Sequence, residues 1–183
     1  MGPTSLGVGD WPAAPALRTE RLTLEPLRVD HAEEMAPLLA DAALHEFTGG
    51  RPDSLDELRR RYARQACGRS PDGAQRWLNW IVRLERTGEA VGSVQATVSE
   101  GDRGSIAELA WVIAVRYQGR GYAGEAAGEM ARWLRDQGIE ALAACIHPDH
   151  EASMHVARAL GLAPKEETVG GETKWLGSSG GGR

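Results

Sequence analysis

Apolar and polar or small positions alternate from Glu108 to Ile113. Leu109, Trp111 and Ile113 stand on one face and Glu108, Ala110 and Val112 on the other, which is the two-residue period of a strand. After the glycines that follow, the period lengthens. Ala123, Ala126, Ala127, Met130, Ala131 and Leu134 fall at helical spacing, and Gly138 stands where a glycine would end the helix. Upstream, Leu22, Leu24 and Leu27 with Thr23 and Glu25 read as a first strand, and Ala32, Met35, Leu38 and Leu39 as the apolar face of a helix. Ser54 to Cys67 predicts a second helix, capped by Ser54 with Glu57 at the capping-box position. Trp77–Leu84, Ala90–Val98 and Ile106–Ile113 form an antiparallel meander, and 141–146 is a short strand that fits a βαβ crossover. Asp149 or His150 opens a last helix that Gly161 ends, and 167–169 with 174–176 fit a terminal hairpin. The order β-α-α-β-β-β-α-β-α-β-β is that of a mixed α/β (α+β) domain.

Composition narrows the class. With 183 residues and 42% hydrophobic content, one domain with a full core is expected over 17–176. Residues 1–16, rich in Gly and Pro, read as a flexible segment without the features of a signal peptide, and 177–183 as a flexible Gly/Ser tail. No apolar run spans a bilayer, so no membrane partner is expected. A net charge of −5 argues against nucleic acid as a partner and is compatible with a cationic acceptor such as an amine. Cys67 and Cys145 have no metal-site spacing, and the five histidines form no helical metal pair. A reduced cytoplasm, no metal, and a monomer or homodimer are the expectations.

The helix after Ile113 begins without a cap. No Ser, Thr, Asp or Asn occurs from Gln118 to Gly121, so its first N–H groups lack a side-chain acceptor and sit at the positive end of the helix dipole. With Gly119 and Gly121 allowing close approach and Arg120 adding charge, this could seat a phosphate. A bare turn whose N–H groups bind water fits the same residues. Glu108 lies on the strand face of Ala110 and Val112, where desolvation would raise a carboxyl pKa into the range of a general base. A cross-strand partner for Arg83, or an exposed edge carboxylate, fits it too. Trp111 reads as a core anchor.

The hexamer Gln118-Gly119-Arg120-Gly121-Tyr122-Ala123 resembles the Gln/Arg-x-x-Gly-x-Gly/Ala signature of the GNAT acetyltransferases. Thr19 to Leu27 resembles that family's Thr-Glu-Arg-Leu-x-Leu-x-Pro-Leu opening. The resemblance covers about residues 17–176 and looks closest to the branch holding the ribosomal-protein N-terminal acetyltransferases, RimJ and RimL. It implies the GNAT fold: a mixed, mostly antiparallel sheet of about seven strands with four helices, whose fourth and fifth strands splay apart. It implies that Gln118 to Ala123 bind the pyrophosphate of acetyl-CoA. Ile113, Ala114 and Val115 would hold the pantetheine arm along the splay. Phe47, Thr48 and Gly49 become candidates to line the acceptor side.

His147 to Ser153 resembles the family's Pro-x-Asn-x-x-Ser turn, with His150 at the Asn position and Ser153 matching. Ser153 would touch the cofactor or help protonate the leaving thiolate. The family's general-acid tyrosine would fall at Ala157 and is absent. Glu108 matches the glutamate that serves many relatives as base. The implied function is acetyl transfer from acetyl-CoA to a primary amine by direct attack, the acceptor being a protein or peptide N-terminus. The alternatives are a small amine (amino acid, polyamine or aminoglycoside-type antibiotic) and a non-catalytic CoA-binding regulator.

Overall fold

The structure is a computed structural model describing residues 11–47, 49–101 and 104–178. In chain order its elements are β1 (Leu17–Arg18), β2 (Leu22–Pro26), α1 (Ala32–Leu39), α2 (Leu55–Ala66), β3 (Gln75–Leu84), β4 (Ala90–Gly101) and β5 (Gly104–Ile113). Then follow α3 (Tyr122–Asp136), β6 (Ala141–Ile146), α4 (Glu151–Ala159), β7 (Ala163–Val169) and β8 (Glu172–Ser178). The strands form one sheet in the order β1-β2-β3-β4-β5-β6-β8-β7, antiparallel throughout except for the parallel pair β5–β6. Sequence periodicity predicted about seven strands. The eighth is the two-residue β1, too short to show a period, which exists only because Leu17 and Arg18 pair with Leu24 and Thr23.

Local signals fix several boundaries. Ser54 accepts from the Glu57 N–H while the Glu57 side chain accepts from the Ser54 N–H, the reciprocal cap that starts α2. On α3, Ala126, Ala127, Met130, Ala131 and Leu134 are buried, as their spacing predicts. Small alanines let the helix lie close to the sheet. Each face has its own cover. Trp80 of β3 meets Trp133 of α3 edge-to-face at 5.9 Å, whereas Gln95 of β4 is bonded to Gln65 of α2.

Three sequence expectations need correction. Residues 11–16 are not a loose leader: Trp11 is only 4% exposed, Trp80 Nε1 donates to the Pro15 carbonyl at 2.7 Å, and Arg76 donates to the Trp11 carbonyl. Proline-rich chain without a period can still be fastened by burying one large ring and bonding its carbonyls. At the other end, Gly177 and Ser178 belong to β8, paired with Leu142 and Ala141, so these two residues are strand where composition suggested a tail. Trp111 is half-buried; Trp80 is the fully buried tryptophan.

Gly92 fixes the far end of β5. It pairs with Ile113, and a Cβ there would stand 2.1 Å from the Val112 carbonyl oxygen and 2.8 Å from Ile113 Cδ1. Backbone cannot yield as a side-chain tip does. Gly92→Ala should destabilise the domain by roughly 3 kcal/mol, the upper part of the usual overpacking range, read by denaturant unfolding. An unchanged midpoint would mean that the two strands can part at no cost.

Candidate active site

The parallel pair β5–β6 is short. Ile106, Ala107 and Glu108 pair with Ala141, Leu142 and Ala143, and there the pairing ends. β5 continues to Ile113 and β6 to Ile146, and a cavity of about 1110 Å³ is lined by both unpaired halves. The Ala114 N–H donates to the Val91 carbonyl at 2.8 Å. In an antiparallel ladder alternate residues then turn their backbone groups the other way, so those of Trp111 and Ile113 face the gap. The splay thus offers an open strand edge inside a cavity.

At one end of the cavity α3 begins. Its N-cap is Gly121, at φ +79° and with no side-chain cap, and Gly119 has φ +73°. Glycine takes this left-handed backbone without strain. Gly119, Gly121, Tyr122, Ala123 and Gly124 line the cavity, and a Cβ at Gly119 or Gly124 would meet nothing within 4 Å. A strap invisible in the sequence holds this start. Glu125 accepts from Thr19 Oγ1 at 2.5 Å, from the Arg21 N–H at 3.1 Å and from Arg21 Nε at 2.6 Å, and Arg21 Nη1 donates to the Arg120 carbonyl at 3.0 Å. Burial would raise the Glu125 carboxyl, but the bonds from Thr19 and Arg21 outweigh it and hold it below its ordinary value. Its partners lie more than a hundred residues away, so no local signal could have found them.

Across the gap stands the start of α4. His150 is its N-cap: Nδ1 accepts from the Ser153 N–H at 3.4 Å. Burial pushes the His150 imidazole down, which favours the neutral ring that can accept. The folded pKa is lowered, so the cap contributes above the ordinary imidazole range and is lost as pH falls through the lowered value. Phe47 stacks on His150 at 4.4 Å and lies 5.4 Å from His147. Ser153 Oγ accepts from Trp111 Nε1 at 3.2 Å, which explains why Trp111 leaves the core: its ring bridges β5 to α4 across the gap. Ala157, the position of the missing tyrosine, is fully buried.

Glu108, Ser153, Ile113, Val115, Gln118, Gly119, Gly121, Tyr122, Ala123, His150 and Phe47 all line this one cavity. Ala114, Arg120 and Gly49 do not. Ala114 is buried, its N–H spent on Val91. Arg120 is exposed and turns back, Nη2 donating to the Arg116 carbonyl at 3.4 Å. Gly49 is exposed, and Thr48 lies outside the described residues. Gln118 lines the cavity while its Nε2 donates to the Ile113 carbonyl at 2.9 Å, closing the strand end. Glu108 is exposed rather than buried, because the sheet parts just beyond it. The burial inferred from Ala110 and Val112 is therefore not found.

The floor on the α2 side went unread in the sequence. Tyr62, Gln65, Asn79 and Gln95 line it, and burial pushes the Tyr62 phenol up to about 12, so it stays a donor. Only the helical period of α2 and the strand register bring these four together. Burial also pushes the Cys145 thiol up, and Glu108 and Glu172 push the same way, so this cavity-lining cysteine is no ready thiolate. Among the described residues no group of three or more His, Cys, Asp or Glu could hold a metal ion, and no helix is long and apolar enough to cross a membrane.

A family profile described as "Acetyltransferase (GNAT) domain" matches residues 21–163. YkkB of Bacillus subtilis (strain 168), itself uncharacterised, is 31% identical over 84 residues, 45% of this chain, and the match spans 49% of its own length. A GNAT-family acetyltransferase structure from Bacillus anthracis superposes with a TM-score of 0.72 over 90% of this chain and 99% of its own, at 16% identity. RimL, a ribosomal alpha-N-protein acetyltransferase solved with coenzyme A, gives 0.72 over 90% and 98%, at 14% identity. At such identities the likeness is one of fold.

Proposed function

The chain belongs to the GNAT acetyltransferase family, and on that premise we propose that it transfers the acetyl group of acetyl-CoA to a primary amine, namely the N-terminus of a protein or peptide. The observation that carries this is the single cavity joining an uncapped helix start to an open strand edge, with Glu108 at the point where the strands part. The residues fit the cofactor. Free N–H groups of Tyr122, Ala123 and Gly124 suit a pyrophosphate, and the open edge of β5 suits the amide-bearing arm. Acetyl-CoA supplies an acyl carbon activated by its thioester.

The amine nitrogen attacks that carbon: a C–N bond forms, the C–S bond breaks, and the amine gives up a proton. Glu108 accepts it, directly or through a water that its exposure admits. Backbone N–H groups of β5 that face the gap polarise the carbonyl. Ser153, its hydroxyl oriented by Trp111, donates a hydrogen bond to the departing sulfur, which leaves as the thiolate and takes its proton from solvent. Cys145 supports direct attack over a covalent relay, because its raised pKa leaves little thiolate. RimL, whose name describes acetylation of a protein N-terminus, supports the peptide acceptor. A small amine is the second reading, favoured by the carboxylates Glu46, Glu108 and Glu172 on the cavity wall. The unpaired thiols of Cys67 and Cys145 support a reducing cytoplasm as the site of action.

Acetyl-CoA at about a hundred times its Kd should raise the melting midpoint by roughly 5–10 °C, with far smaller shifts from NAD and ATP. Free thiol should then be released when N-terminal peptides or small amines are added. A larger shift with NAD, or binding of acetyl-CoA without thiol release for any amine, would sink the enzyme reading.

A further inference from the structure

Three carboxamides meet on the sheet face beneath α2. Asn79 on β3 stands opposite Gln95 on β4, which stands opposite Ala110 on β5. Gln65 of α2 donates through Nε2 to Gln95 Oε1 at 3.3 Å. Asn79 is only 9% exposed, and its side chain has no hydrogen-bond partner among the described residues. Its amide is not sealed off: the polar atoms open on the cavity that the residue lines. Asn79 lines both the main cavity and a second hollow of about 270 Å³ that continues past Gln65 and Gln95 toward Trp77 and Thr97. Two arginines of α2 stand at the edge: Arg61 is engaged by Asp53 at 2.6 Å, and Arg64 lines the second hollow only. The open capacity of Asn79 itself is neutral and two-sided, an N–H pair and a C=O together.

We propose that this amide floor is a subsite for the main chain of a peptide acceptor, with Asn79 pairing to a peptide bond some three residues from the reacting amine. The proposal rests on the reading of the cavity as the acetyl-transfer site. A peptide unit carries one N–H and one C=O, the complement of a carboxamide. A polyamine carries only donors, so it could use the Asn79 oxygen but not its N–H groups. The register sets the length. Asn79 lies two strands from β5, about 10 Å at 4.7–4.9 Å per strand. An extended peptide advances about 3.3–3.6 Å per residue, so its third residue reaches the floor. The second hollow leaves room for the chain to continue.

The test uses alanine peptide amides of one to five residues with free N-termini, and spermidine. Calorimetry measures their binding to the CoA complex, and thiol release measures their turnover with acetyl-CoA. Wild-type affinity should step up by about 10-fold between two and four residues, the scale of one or two added hydrogen bonds. In Asn79→Leu the step should vanish, while the melting midpoint holds, because the side chain gives up no hydrogen bond within the described residues. An ester in place of the third-residue amide, tested on the wild-type protein, should also remove the step and needs no variant to fold. A smooth or absent length dependence, a step that survives Asn79→Leu, or tighter binding of spermidine than of the tetrapeptide overturns the subsite. A peptide step without acetyl transfer to any amine supports the subsite and overturns the transfer reading alone. Transfer to small amines with no length step does the reverse.

Discussion

Gly124→Glu should weaken acetyl-CoA binding by about 100-fold while leaving the melting midpoint unchanged or raised. Gly124 sits in the first turn of α3, lines the cavity, and has open space where a Cβ would stand. For the fold alone the change is favourable. Glutamate is a better helix former than glycine by roughly 0.5–1 kcal/mol, and a carboxylate in a first turn gains about 0.3–1 kcal/mol from the helix dipole. For the ligand it is adverse. A carboxylate about 5 Å from one pyrophosphate charge, at an effective dielectric of about 20, is repelled by roughly 3 kcal/mol, or about 100-fold. Opposite signs for stability and binding separate a phosphate seat from a structural turn. Calorimetry with acetyl-CoA and a thermal melt read both, and wild-type affinity in this variant would remove the seat. Gly121→Val, which the glycine motif itself suggests, is the poorer probe: at φ +79° a β-branched residue strains the backbone whether or not a ligand binds there.

Glu108→Gln should cut turnover by about 100-fold, with acetyl-CoA affinity nearly unchanged. That is the low end of general-base effects, chosen because Glu108 is exposed and water can partly replace it. The amide keeps size and hydrogen bonding and loses only the ability to take a proton. The deficit should shrink as pH rises, because more of the amine then arrives neutral. Where it shrinks reports the acceptor: near pH 8 for a peptide α-amine, near pH 10 for a lysine-like or polyamine nitrogen, following their ordinary pKa values of about 8 and 10. Single-turnover rates across that range give both the size and the turning point. A variant as fast as wild type near neutral pH, with chemistry limiting, would make Glu108 a bystander and leave solution deprotonation as the route.

The sequence by itself determined the elements and the helix start. Strand alternation, the alanine stripe of α3, the Ser54–Glu57 cap and the glycines at 119 and 121 act through neighbours a few residues apart, and all recur in the structure. So does the uncapped N-terminus of α3, because a missing cap is also a local fact. What the sequence could not contain is which chain comes to lie beside which. Register alone ends the β5–β6 pairing at Glu108, and so exposes a carboxylate whose neighbours in sequence suggested burial. The same long-range geometry turns Trp111 from the core to Ser153, ties Glu125 to Thr19 and Arg21, and leaves the Asn79 side chain beneath α2 without a hydrogen-bond partner among the described residues. Burial and hydrogen bonding at a site are sums over residues tens of positions apart. A periodic pattern therefore says which face a side chain takes, and only the assembled sheet says what that face meets.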